Sequence, residues 1–393
     1  MISDEGNVWM RASLLWLAGN TLRLTILAVP AVIAIIRDDF GLNATQVGLL
    51  SSIPPALFAL ASLAGSLLVA RLGLMRAIIG GLLLIAIGGA LRGVSPGYGM
   101  LFVTTIVMAL GVAIMQPIMP SAVRQWLPQR IGLGTAIYTN GLLVGEILPV
   151  WLTIPLILPA VSGSWRMALA AWSIPVLVIV IVMMLFAPRT AAAQPAQSAG
   201  VPTKWLPDWH RGLVWRLGAI FWCITGIYFT SNAFIPIYLK SAGRADLIGD
   251  ALTALNLGQL PASFLLLGYA SKLERRAWPY IVSAVVSLVC VAGLALSAST
   301  WTIVWAALLG FSDAAAFILA LTLPALLCAP QDVARTAAGT FSLAYGGAML
   351  TAIVSGVAWD ASGIPALAYV PIGICALALG IVPGMMRRRG DLR

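Results

Sequence analysis

The chain has 393 residues, of which 61% are hydrophobic and 9% charged, with a net charge of +10. Soluble proteins carry about 25% charged residues, so this composition excludes a soluble globular enzyme. The basic residues lie between apolar runs, not on a soluble domain, which argues against nucleic acid as a partner and leaves membrane lipid.

Apolar runs of about 20 residues, the length of a membrane-crossing helix, recur along the chain. They fall at 14–36, 47–70, 77–94, 99–121, 132–156 and 165–186, then at 213–239, 247–270, 278–297, 301–327, 336–357 and 365–386. The pattern predicts an all-α membrane protein of twelve transmembrane helices. Residues 1–13 carry Asp4, Glu5 and Arg11 and do not read as a cleavable signal.

The first run carries an arginine. Arg23 lies roughly 14 Å along the helix from Leu14, about half of a ~30 Å hydrocarbon core. An unpaired guanidinium there costs at least ~2.5 kcal/mol, so it must face water or a partner. Asn20 and Trp16 lie three and seven residues earlier, on the same helical face. That face reads either as one wall of a site for a small, polar, anionic solute or as a strut between helices.

Charge asymmetry orients the spans. With the N-terminus inside, the outer side keeps only Arg37, Arg92, Arg166, Lys240 and Arg244 of the 23 basic residues, Arg23 aside. Both termini are then cytoplasmic. The longest loop, 187–212, is rich in Ala, Pro, Gln and Ser and reads as a flexible cytoplasmic linker. It holds the only histidine, His210, to which no role is assigned. The linker divides the chain into an N-terminal bundle at 1–186 and a C-terminal bundle at 213–393. Arg130, Gly134, Thr135 and Gly141 recur as Arg335, Gly339, Thr340 and Gly346, each set opening the fifth span of its half. Two related six-helix bundles are the organisation of a rocking transporter with its site between the halves.

Glu146 and Asp313 are the other charges deep within spans. Asp313 lies about 18 Å into the tenth span and is a candidate partner for Arg23 or a structural residue. Glu146 follows Gly141 and Gly145, a spacing that lets helices approach closely. It reads as a site for a coupling proton or as a packing residue. Further polar and aromatic candidates are Tyr138 in the fifth span, Trp222, Tyr228 and Asn232 in the seventh, and Gln259 in the eighth. Such groups turn away from lipid, whether to bind a solute or to tie helices together. The four cysteines, Cys223, Cys290, Cys328 and Cys375, fall in apolar runs without metal-ligand spacing. No nucleotide-binding loop or HExxH motif occurs, so neither catalysis nor a cofactor or metal is expected.

Arg71, Gly73 and Arg76, after the second span, resemble the signature loop of the major facilitator superfamily. Ser66 and Ala70 stand where that loop has Gly and Asp. Finer detail resembles the cyanate and nitroimidazole porter branch: Leu22-Arg23 with Val29-Pro30, Pro54 with Phe58-Ala59-Leu60, Gly132-Leu-Gly-Thr135 with Tyr138, Trp165-Arg166, and Phe317 through Thr322. The resemblance runs through nearly the whole chain. It implies a monomeric secondary transporter of a bacterial inner membrane working by alternating access, with small, planar, often anionic substrates such as cyanate, nitrite or a nitroimidazole. Arg23 would contact the anion, with Asn20, Tyr138, Tyr228, Asn232 and Gln259 as the candidates for orienting it and Trp16 and Trp222 for flanking it. Glu146, Asp313, Arg71 and Arg76 are the coupling or gating candidates, with protons as the candidate coupling ion. Two rivals stand beside this reading: multidrug-type efflux of hydrophobic compounds, and a membrane sensor that binds a ligand without moving it.

Overall fold

The computed structural model describes residues 2–42, 44–188, 205–297, 299–388 and 390–392. Most of the expected linker, with Arg189 and Lys204, lies outside the described residues, as do Arg389 and Arg393. Among the described residues there is no strand, and twelve helices are long and apolar enough to cross a membrane. They are α1 (Ile2–Phe40), α2 (Ala44–Leu72), α3 (Leu74–Leu91), α4 (Tyr98–Trp126), α5 (Ile131–Leu152), α6 (Trp165–Phe186), α7 (Gly212–Ser241), α8 (Ile248–Leu273), α9 (Trp278–Leu296), α10 (Trp301–Leu327), α11 (Val333–Ser362) and α12 (Val370–Arg388). The twelve expected spans are all present, and the protein is a multi-pass membrane protein.

Sharp turns sit where the backbone demands them. Gly73 joins α2 to α3 at φ 82°, a left-handed conformation that only glycine adopts cheaply. Prolines within helices mark their irregularities. After Pro149, α5 runs into a π turn at Thr153–Ile157 that includes Pro155, whose ring nitrogen has no hydrogen to donate. The Thr153 hydroxyl bonds to the Pro149 carbonyl and accepts from Trp172 Nε1 at 2.9 Å, so the widened turn is held from α6.

The chain forms two compact units. The first comprises Met1–Gln129, Ile137–Pro207 and Ala329–Gly339; the second comprises Arg130–Ala136, Asp208–Cys328 and Thr340–Arg393. The division at the linker is therefore crossed twice, by the first turns of α5 and α11. These are the two segments whose sequences repeat. In the first unit, α4 packs against α2 and α3, and α6 against α3. Met108, Val112, Met115 and Ile118 of α4 are buried at its centre. In the second, α10 packs against α8 and α9, and α12 against α7 and α9. Large apolar side chains also cover the outside, as along Ile174, Val178, Ile181 and Leu185 of α6. In a membrane such a face meets lipid tails at no cost.

Candidate functional site

α1 and α5 approach each other closely at three glycines. A β-carbon on Gly19 would run into the Tyr138 carbonyl, one on Gly141 into the Trp16 carbonyl, and one on Gly145 into the Asn20 carbonyl. Small residues on both helices bring the two backbones together, as the Gly141-xxx-Gly145 spacing predicts. The seam fixes the polar side chains beside it. Trp16 Nε1 donates to Asn140 Oδ1 at 2.9 Å, and Asn20 Nδ2 to the Gly141 carbonyl at 3.3 Å.

One helical turn further, Arg23 meets a carboxylate. Its Nε donates to Glu146 Oε1 at 2.9 Å, and the two side chains are 10% and 21% exposed. The guanidinium also lies over the Phe58 ring, 5.3 Å from its centroid, and its Nη1 donates to the Leu22 carbonyl. Ion pair and cation–π contact together answer how an arginine is tolerated near the middle of the first span. The sequence offered Asp313 as a partner for Arg23, but the carboxylate that reaches it is Glu146. The reason is the glycine seam, which brings Glu146 within reach of the same face of α1.

Chemically, this pair is a cation already holding an anion. Any other anion would reach Arg23 only by exchange with Glu146, or when Glu146 is protonated. Tyr138, expected to orient the solute, is only 2% exposed, and its backbone packs on Gly19.

The second unit carries its own polar chain. Gln259 Nε2 donates to Tyr228 Oη at 3.3 Å, Tyr228 Oη to Asn256 Oδ1 at 2.5 Å, and Asn256 Nδ2 to Asn232 Oδ1 at 3.2 Å. Asn232 Nδ2 closes the run on the Tyr228 carbonyl at 3.0 Å. Tyr228, Asn232 and Gln259, three of the candidates, are thus brought together, with Asn256 as their link. A break at Gly258 separates Asn256 from Gln259 within α8; a β-carbon there would meet the Ala307 carbonyl of α10.

Trp222 stands apart from this run. Its Nε1 donates to Thr351 Oγ1 at 2.9 Å, and its ring lies against Gly347. The register that matches Arg130 with Arg335 matches Glu146 with Thr351. Trp16 and Trp222 thus play parallel parts, each donating from the first helix of its half to the fifth. Where one half has an ion pair, the other has a hydroxyl. Thr351 was missed in the sequence, although the repeat register pointed to it.

The other gating candidates are dispersed. Asp313 is buried in α10, where its Oδ1 has no hydrogen-bond partner among the described residues. Neighbouring Ser312 bonds instead to Ser283 and Ser287 of α9. Arg71 and Arg76 are exposed at the α2–α3 turn and make no ion pair among the described residues. Arg92, placed on the outer side by charge counting, has its side chain fully buried in the protein. The apolar run ends just beyond it, and a span boundary alone does not tell which way a side chain turns. All four cysteines are buried, as expected of core side chains, and form no disulfide among the described residues.

The model of the Major Facilitator Superfamily matches residues 15–245. The cyanate transport protein of Escherichia coli (strain K12) is 26% identical over 313 residues, covering 78% of each chain. The 2-nitroimidazole transporter of the same organism is 25% identical over 393 residues, covering 97% of this chain and 95% of that one. Among solved structures, the superfamily transporter FucP in the outward conformation superposes with a TM-score of 0.76 at 16% identity, over 96% of this chain and 98% of that one. The proton:xylose symporter XylE superposes with a TM-score of 0.75 at 13% identity, over 98% and 96%. Fold, span count and family match agree, and the chain belongs to the Major Facilitator Superfamily.

Proposed function

We propose that this chain is a secondary transporter of the bacterial inner membrane that moves a small anionic or weakly acidic planar solute by alternating access. Cyanate, nitrite and nitroimidazole-like compounds are the solute class, and both termini are cytoplasmic. The observation that carries the reading is the buried Arg23–Glu146 pair. A cation held in apolar surroundings by an exchangeable carboxylate suits a site that must accept an anion and later release it. Glu146 is then the internal competitor of the solute. A proton on Glu146 frees Arg23 for the solute, so one proton and one anion travel together without net charge. Asn20 and Trp16 flank this centre, and in the second unit the Gln259–Tyr228–Asn256–Asn232 run is a separate candidate for solute contact. The two transporters named above, of cyanate and of 2-nitroimidazole, support the solute class.

The test is uptake of labelled cyanate, nitrite and a 2-nitroimidazole into proteoliposomes, with and without a pH gradient. Wild type is expected to concentrate at least one of them, Arg23→Gln to lose nearly all uptake, and Glu146→Gln to transport without concentrating under a proton gradient. Unchanged uptake in Arg23→Gln removes Arg23 from the site. Gradient-driven accumulation by Glu146→Gln removes the coupling role.

A further inference from the structure

We propose that the first unit binds a small inorganic anion, of the size and charge of a halide, at Arg92, Thr25 and Ser173. Arg92 closes α3 and is 0% exposed. Its Nη2 donates to the Thr25 carbonyl of α1 at 2.9 Å. Its Nε and Nη1 are buried and have no hydrogen-bond partner among the described residues, and the same holds for the Thr25 and Ser173 hydroxyls. These orphaned groups belong to three side chains that pack around Gly89, with Ser173 Oγ the orphaned atom nearest to it. Thr25 Cγ2 and Arg92 Nη2 lie 3.5 and 3.6 Å from where a β-carbon on Gly89 would sit, and Ser173 Oγ is closer still.

The chemistry of the cluster selects the ligand. A guanidinium stays protonated in proteins, so Arg92 carries a full positive charge away from water. Among the described residues no carboxylate pairs with it. Asp39, on the same helix as Thr25, is held by Arg166 at 2.9 Å and by Trp165 Nε1 at 3.2 Å. Water would satisfy the N–H groups but leave the charge uncompensated, whereas an anion answers both. Every orphaned group here is a donor or a hydroxyl that can turn its hydrogen inward. This centre is separate from the proposed transport site, because residues 23 and 25 point roughly 200° apart around α1. Arg23, moreover, already has Glu146.

Bromide soaked into crystals of the whole protein locates the site. Anomalous density is expected within hydrogen-bond reach of Arg92 Nη1 or Nε. In detergent, replacing gluconate by chloride is expected to raise the Tm by on the order of 5 °C. Arg92→Met should abolish that shift. Should Arg92→Met fail to fold, the double variant Thr25→Val with Ser173→Ala, nearly unchanged in volume, is expected at least to halve it. Bromide density absent from Arg92, or confined to Arg23, overturns the proposal, as does a Tm that responds to chloride equally in wild type and the double variant.

Discussion

The Arg23–Glu146 pair can be weighed by a double-mutant cycle. Exposed ion pairs contribute ~0–1 kcal/mol, because water screens them. This one is 2.9 Å long with side chains 10% and 21% exposed, so it belongs with buried pairs. Removing one member of a buried pair costs about 3–5 kcal/mol, since the other charge stays behind uncompensated. Arg23→Gln strands the Glu146 carboxylate, and Glu146→Gln strands the guanidinium against the Phe58 ring. The double variant strands neither, and two glutamine amides can hydrogen-bond to each other. Its loss should fall short of the sum of the singles by about 2 kcal/mol or more, on the scale of coupled neighbours. The assay is denaturant unfolding of the four proteins in one detergent, read by tryptophan fluorescence. Losses that add within about 0.5 kcal/mol would refute the argument, because independent sites add to that precision.

The glycine seam predicts a contrast between repeats. Gly141→Ala is expected to destabilise by about 1–3 kcal/mol, because its β-carbon meets the Trp16 backbone. At the matching position Gly346→Ala finds nothing within 4 Å and should be neutral or stabilising by up to ~1 kcal/mol; equal Tm shifts would contradict the seam. Tyr228→Phe leaves Asn256 Oδ1 and Gln259 Nε2 without their partner and should cost about 1–3 kcal/mol, together with a raised KM for uptake. A variant with wild-type Tm and KM would remove the run from both roles. Glu274, beyond the end of α8, has its carboxyl raised by burial, an effect opposed by the Gly132 main chain and by Arg275. The folded state therefore holds that proton more tightly than the unfolded chain, so wild type should lose stability as pH rises from the ordinary value of 4.5 through the raised one. Glu274→Gln should lack that loss, and parallel stability–pH curves would show that the group is unperturbed.

The span pattern was readable because each membrane helix must bury its own backbone hydrogen bonds within one apolar stretch. Such stretches need no knowledge of their neighbours. Gly141 and Gly145 announced a close approach for the same reason, since small-residue spacing is a local property. What lay across that approach was not local. Glu146 was legible as an intramembrane charge, but its partner depended on which helix the seam would meet. Asp313 was as plausible by depth, and nothing in a linear chain ranks one carboxylate over another.

Composition, span lengths and the repeated Arg-xxx-Gly-Thr opening therefore determined the class of molecule, its twelve crossings and its two-fold internal likeness. Only the tertiary structure decided that Arg23 belongs to Glu146, that Gln259, Tyr228, Asn256 and Asn232 form one run, and that the Arg92 side chain is buried. The physical reason is one of range. Hydrophobic length and backbone satisfaction act within about twenty residues of sequence. Ion pairs and hydrogen bonds act over about 3 Å of space, between residues as far as 28 and 123 positions apart in the chain.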